Sequence, residues 1–429
     1  MPGFSGRADE PRDRLDRVAS AASAPRGAVV VTGSELVRGD RTDLNGPFLA
    51  RSLLSLGIEP TEVRIVGDVP SELETAFRDG LGHDLLVISG GLGPTHDDRT
   101  VELLARAAGR ELHVDEALVE EIAGRSRVQY LPGILKQATL PAGAAVIGIA
   151  GTAPALVLET NGCVAVVLPG PPRELRELWT RALSTEPLRG VLARAVAPAR
   201  RVLRFYGTGE STVAAAFADA GGDGDGVEVT ICARDFETYV DLVVSPGAEA
   251  RAEELERAMA ASLEEYLFSR TESPIEELVL DACRAHKLTL ATAESCTGGL
   301  VAARLTSIAG SSDVFAGAIV SYSNEVKTAE LGVPEDMLAA HGAVSAEVAA
   351  AMAHGARARL GVDVAVAVTG IAGPGGGTPE KPVGLVYAHA VGPGAEDSTK
   401  LSWPGDRDTI RARATVAALH LVHTLVAKL

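Results

Sequence analysis

The chain has 429 residues, 46% hydrophobic and 23% charged, with 46 glycines and 23 prolines. This composition is that of a globular protein and predicts two or three domains. A formal net charge of −17 excludes a nucleic-acid binder working through a broad basic surface, so an anionic substrate needs local compensation from helix N-termini, arginines or a metal.

In chain order, residues 1–24 mix Arg with Asp and Glu and lack an apolar core. They read as a disordered tail and not as a signal peptide. A strand over 28–32, an amphipathic helix over 44–56, a strand over 61–66, a helix over 71–79 and a strand over 85–89 then follow. This β-α-β-α-β rhythm predicts an α/β domain with a parallel sheet and helices on both faces, over residues 25–180. A strand over 164–168 closes the unit. Residues 181–271 read as a small α+β unit, with strands over 201–206, 227–232 and 239–244 and helices from Ser211 and Ala248. It carries no cluster of chemical side chains and reads as a spacer or dimerisation module. From 272 to 429 a third, layered α/β unit is predicted. Its helix runs to His286, with strands over 288–292, 317–321, 364–369 and 384–389 and helices over 300–305, 325–331, 345–360 and 408–427. No run approaches the roughly 18 apolar residues of a membrane span. The four cysteines, Cys163, Cys232, Cys283 and Cys296, contain no CxxC pair, which fits neither a disulfide framework nor a zinc site and points to a reducing cytoplasm.

The third unit holds the sharpest chemical signal. Ser295 sits in a strand-to-helix turn, Glu-Ser-Cys-Thr-Gly-Gly over 294–299, whose backbone N–H groups from Thr297 to Gly299 are candidates to stabilise an oxyanion. The plain alternative is that Ser295 caps the following helix. A serine nucleophile needs a base, and neither His286 nor His341 lies in a segment with a reason to converge on it. Lys327 is the better candidate. Only six of the 40 basic residues are lysine, and lysine loses its proton on desolvation where arginine does not. An ordinary surface lysine is the alternative. Cys296 is a second, weaker candidate nucleophile. The glycine run over 370–377 ends a buried strand and offers backbone donors to a phosphate or sugar, or is simply a hairpin loop. No GxxxxGK[ST] occurs, which excludes a P-loop kinase.

In the first unit, Ser-Gly-Gly-Leu-Gly-Pro-Thr-His-Asp-Asp over 89–98 combines a phosphate-cradling loop, through Gly90, Gly91 and Gly93, with two adjacent acids. Asp97 and Asp98 suit a hard divalent ion bridging phosphate oxygens; alternatively one of them caps the helix starting near Thr100. Glu35, Asp43 and Asn45 follow the first strand and are expected at the same sheet edge.

Together these segments resemble the CinA (competence/damage-inducible) family over nearly the whole chain from Ala28. The C-terminal marks are ATAESCTGGL at 291–300, GSS at 310–312, YSNEVK at 322–327, HGAVS at 341–345 and TGIAGPGGGTPEKPVG at 369–384. The resemblance implies a C-terminal amidohydrolase that converts nicotinamide mononucleotide (NMN) to nicotinic acid mononucleotide and ammonia without a cofactor. It makes Ser295 the nucleophile and Lys327 its base, with Tyr322 and Ser312 assisting. Thr369, Gly370, Ala372, Gly373 and Arg411 would hold the nucleotide. The N-terminal marks are GSEL at 33–36, Asp43, Asn45, GGLGPTHDD at 90–98, GTAP at 151–154 and PGPPRE at 169–174. They resemble the molybdopterin-binding fold as CinA proteins use it, which implies an ADP-ribose pyrophosphatase requiring Mg, Mn or Co. Under that reading Glu35, Asp97 and Asp98 hold the metal, and Asn45, Gly90, Gly91 and Gly93 the substrate. This chain departs from the family where Ile134-Leu135, in place of Asn-Arg, precede Lys136-Gln137, and where Gly-Ser-Glu replaces Gly-Thr-Glu. The middle unit corresponds to a KH-like domain without a GxxG loop, so no RNA binding is expected, and the family implies a homodimer. Two other readings are a molybdopterin-binding or adenylyl-transferring first domain, and a non-enzymatic nucleotide sensor in DNA uptake or damage.

Overall fold

The computed structural model describes residues 24–125 and 130–429. The expected disordered tail, apart from Ala24, lies outside the described residues. The chain divides into two compact units between Ala199 and Arg200.

The first unit is built on a six-stranded sheet in the order Glu59–Val66, Arg26–Thr32, Leu85–Ser89, Cys163–Leu168, Pro154–Thr160, Ala145–Ile149. The first four strands are parallel and the last two antiparallel, so the expected parallel sheet is in fact mixed. The reversal comes from Asn161-Gly162, both at positive φ, between the paired residues Thr160 and Cys163. Asn-Gly suits a two-residue hairpin turn because it tolerates left-handed conformations at both positions. Alternate residues of the first strand enter different cores. Ala28 and Val30 pack with Phe77, Leu86 and Leu103, while Val29 and Val31 pack with Leu49, Leu53 and Trp179. Such period-two division buries both faces of the sheet. The expected boundary at residue 180 falls inside the helix Pro172–Ala182. Leu188 and Val191 also belong to the second of these cores, so apolar packing carries the unit past 180.

The second unit contains two sheets. Four strands, in the order Val227–Arg234, Glu237–Val244, Ala199–Tyr206, Leu267–Ser269, share a core with the helices Glu210–Asp219 and Glu249–Ser262. A five-stranded sheet follows, in the order Phe315–Val320, Leu290–Glu294, Val364–Gly370, Leu385–Gly392, Ala395–Ser402. Its first three strands are parallel and its last two antiparallel. Val364, Val366 and Val368 face the helices Ile275–His286 and Arg407–Val426, while Ala365 and Ala367 face Ala346–Leu360. The last strand was not expected from the sequence. Its residues, AEDSTKLS, alternate between half-buried and exposed, as an edge strand with one wet face does, and its polarity disguises it as a loop. No helix among the described residues is long and apolar enough to cross a membrane.

Candidate active site

The strand Leu290–Glu294, second in the C-terminal sheet, ends at Glu294, and the Ser295 N–H extends its ladder by donating to Val368 O at 2.9 Å. The chain then turns sharply. Gly298 and Gly299 take φ of +62° and +99°, a pair of left-handed conformations that glycine adopts without a Cβ clash. The helix Leu300–Thr306 starts immediately after them. Its cap is not Ser295. The fully buried Glu294 carboxylate accepts from the backbone N–H groups of Gly299 (2.9 Å), Val301 (3.1 Å) and Ala302 (2.9 Å). A carboxylate at a helix N-terminus satisfies orphan donors and complements the dipole, so the Ser295 hydroxyl is left free for other work.

That hydroxyl meets Lys327. The lysine rises from the helix Asn324–Leu331, whose start is fixed by Ser323 accepting from the Val326 N–H. It is only 1% exposed, and its Nζ donates to Ser321 O (2.7 Å), Tyr322 O (3.4 Å) and Ser295 Oγ (3.1 Å). Among the described residues it makes no ion pair, and burial pulls its pKa below the ordinary lysine range. A neutral amine has two protons and one lone pair. In that neutral form the two carbonyls would accept the protons and the lone pair would face the Ser295 hydroxyl, reversing the bond that an ammonium donates there. Packing holds the lysine helix in place: a Cβ at Gly355 would lie 1.9 Å from Leu331 O, so only glycine lets the helix Ala346–Leu360 approach this closely. Cys296, the other candidate nucleophile, is buried and its thiol is pushed up to about 11, which disfavours the thiolate.

Ser295 and Lys327 open on a cavity of about 280 Å³ shared with Tyr322, Thr369, Gly370, Ala372 and Gly373. Thr369 is anchored by its hydroxyl to Ala343 O at 2.7 Å. The cavity also contains Arg407, which the sequence reading missed. Its guanidinium donates to Gly373 O (2.8 Å) and to the Tyr322 hydroxyl (2.7 Å), and among the described residues it makes no ion pair. Arg411, expected to hold the nucleotide, instead donates to Cys296 O (3.1 Å) and Thr297 O (3.0 Å) and so braces the serine turn from behind. The two arginines lie four residues apart on the same helix, and the spacing alone does not say which one reaches the cavity. The expected oxyanion donors also differ. Gly299 N–H is taken by Glu294 and Gly298 N–H donates to Ser295 O at 3.1 Å, and Thr297 does not line the cavity. Ser312 is exposed on the short turn Ser311–Asp313, outside the cavity lining.

In the N-terminal unit the structure separates residues that were expected together. Gly91, Gly93 and Asp98 line a pocket of about 280 Å³, whereas Glu35 and Asn45 line another of about 620 Å³. Gly90 lines neither, and its N–H donates to Leu168 O at 2.9 Å. Asn45 is held by Ser89 Oγ (2.9 Å) and Gly170 O (2.7 Å). Neither Asp97 nor Asp98 caps the helix Thr100–Ala107. Both carboxylates turn back to Thr95, each 2.5 Å from its hydroxyl. Lys136 and Gln137 tie the same loop down, through Thr95 O and Leu92 O. Ile134 is buried in the apolar core.

Comparison with known proteins gives the family of the chain. Residues 272–426 match the family model described as CinA C-terminal domain, and residues 28–188 the one described as probable molybdopterin binding domain. A CinA-like protein of Mycolicibacterium vanbaalenii is 42% identical over 415 residues, covering 92% of this chain and 97% of that one. The chain belongs to the CinA family. A CinA-like protein of Mycobacterium tuberculosis is 42% identical over 421 residues, covering 94% of this chain and 97% of that one. The solved competence/damage inducible protein CihA from Agrobacterium tumefaciens is 43% identical, covering 36% of this chain and 96% of that one, with a TM-score of 0.34. This CinA protein is therefore a mixed α/β chain with a molybdopterin-binding-like N-terminal domain and a CinA-type C-terminal domain.

Proposed function

We propose that the C-terminal domain hydrolyses the carboxamide of NMN to nicotinic acid mononucleotide and ammonia. The observation that carries this reading is the buried Lys327 amine, without an ion-pair partner among the described residues, 3.1 Å from the Ser295 hydroxyl. Lys327 Nζ takes the hydroxyl proton as Ser295 Oγ bonds to the carboxamide carbon. The resulting ammonium returns that proton to the nitrogen as the C–N bond breaks, and ammonia leaves. A water then attacks the acyl-serine, giving one proton to Lys327, which passes it to Ser295 Oγ as the ester C–O bond breaks. The acid product releases its remaining proton to solvent, and the Ser295 hydroxyl and neutral Lys327 are restored. The backbone N–H groups of Ala372 and Gly373 have no acceptor among the described residues and are donors for substrate oxygens. Arg407 supplies positive charge for the phosphate, as a guanidinium suits phosphate oxygens.

The direct test is incubation of the full chain with NMN in a metal chelator, following ammonia and the acid nucleotide. Both should form at the rate seen without chelator, and loss of the reaction would remove the serine–lysine scheme. Arg407→Ala is expected to raise KM for NMN by about 10–100-fold, the loss of one charge-assisted contact, with kcat changed far less. A kcat loss with unchanged KM would show that Arg407 acts on the chemistry through Tyr322 instead.

For the N-terminal domain we propose metal-dependent cleavage of the ADP-ribose pyrophosphate. Asp97 and Asp98 crowd one hydroxyl, which has a single proton to give, and the Thr95 contact holds the Asp97 carboxyl below the usual carboxylate range. Two converging carboxylates fit a hard divalent cation, which would polarise phosphate oxygens. Glu35 lines a different pocket and does not fit as a third ligand. Asp98→Asn is expected to abolish ADP-ribose cleavage and leave ammonia release from NMN unchanged. If cleavage persists at the wild-type rate, Asp98 only shapes the loop. A second reading, pterin binding by this domain, has the matched family description in its favour, and retention of a pterin by residues 28–188 would support it.

A further inference from the structure

We propose that His354, His389 and Glu396 form a site for a transition-metal dication of the zinc class, outside the Ser295 cavity. Each offers one ligand atom, and the three atoms lie within 4.8 Å of one another. Both imidazoles approach the same carboxylate oxygen: His354 Nε2 is 3.1 Å and His389 Nε2 3.3 Å from Glu396 Oε2. Two ligands each about 2.0–2.1 Å from a tetrahedral zinc are roughly 3.3 Å apart, so these spacings already match adjacent vertices of a zinc coordination shell. Two imidazoles and a carboxylate select zinc, cobalt or nickel over magnesium or calcium, which prefer oxygen alone.

The ligands converge because of the fold. His389 lies on Leu385–Gly392 and Glu396 on the paired edge strand Ala395–Ser402, where His389 stands opposite Ser398. Glu396 is two residues from Ser398, so the strand period places it on the same face as His389. The helix Ala346–Leu360, which supplies His354, packs on that face. His389 is buried where the helix packs on the sheet. His354 and Glu396 are exposed, so a water can complete the coordination. A bound ion ties the helix to the hairpin at the sheet edge. The N-cap of that helix is Ser345, directly after Ala343 and Val344 of the Ser295 cavity. The clip therefore stiffens the helix that leads into the active-site wall.

The test is titration of the full chain with zinc at pH 7.5 by calorimetry, together with thermal unfolding with zinc and with chelator and the visible spectrum of the cobalt-loaded protein. The site predicts a zinc equivalent that raises Tm, and cobalt absorption of tetrahedral intensity. His354→Ala, His389→Gln and Glu396→Gln should each weaken that zinc by about tenfold or more, since even indirect loss at a metal site costs that much, and should remove the Tm gain. Asp98→Asn should leave both intact, separating this site from the N-terminal loop. His354 and Glu396 are exposed, so their variants should melt like wild type in chelator. Zinc binding unchanged in all three variants, or no Tm response to zinc, would overturn the proposal and leave Glu396 as a carboxylate that merely accepts from two histidines.

Discussion

Lys327→Arg is expected to lower kcat for NMN hydrolysis by about 10²–10⁴-fold, the usual effect of removing a general base, while NMN still binds. Among the described residues the buried lysine has only two carbonyls and the Ser295 hydroxyl as hydrogen-bond partners, and burial already depresses its pKa. Arginine at the same place keeps a positive charge, but its pKa stays above about 12, so it has no lone pair with which to accept the serine proton. Ser295→Ala should show a loss of the same order, and the double variant should lose little more than either single one, because the two groups act as a unit. Under the proposed scheme the active form is the neutral amine. The rate therefore rises as pH increases through the lowered Lys327 pKa, and Lys327→Arg should lack that limb. Steady-state kinetics over pH 6–9 (about three decades in proton activity) measure this, and an arginine variant that keeps most of its kcat would remove lysine from the base role.

The largest stability effect is expected at Glu294, a residue with no part in the chemistry. Glu294→Ala leaves the N–H groups of Gly299, Val301 and Ala302 without their acceptor inside a buried strand-to-helix turn. Each lost bond to a charged group is worth about 1.5–3 kcal/mol, and such losses in one cluster are not additive. A destabilisation of about 3–5 kcal/mol follows, which for a unit of this size lowers Tm by roughly 10 °C. Glu294→Gln should recover only part of it. The amide keeps one oxygen acceptor and turns an NH₂ toward the remaining N–H. Thermal unfolding of the three proteins decides the matter, and a Glu294→Ala protein melting within about a degree of wild type would show that water takes over the cap. Residual activity per folded molecule should also fall, because Ser295 is the next residue in the same turn.

Much of the fold was legible in the sequence because its signals are local. Apolar runs such as Leu85–Ser89 and Val364–Gly370 announce buried strands, and periodic stretches announce Pro70–Gly80 and Ala346–Leu360. The edge strand Ala395–Ser402 was not legible, because half of its surface faces water and it lacks an apolar run. The mixed character of the first sheet turned on one dipeptide, Asn161-Gly162, which was available to be read as a hairpin.

The sequence by itself determined the CinA motifs, the layered α/β units and the suspicion that a lysine in an arginine-rich chain has a purpose. Those are matters of residue type and spacing along one element. Which groups meet across elements was decided only by the tertiary structure. Ser295 and Lys327 are 32 positions apart and come together because adjacent parallel strands end at one sheet edge. Glu294 takes the cap that had been an alternative role for Ser295, since burial next to three orphan N–H groups makes the carboxylate the stronger acceptor. Arg407 and Arg411 share a helix, yet one enters the cavity and the other braces its back wall. No pattern along the chain distinguishes them, because the difference lies in which backbone carbonyls the folded neighbours present to each guanidinium.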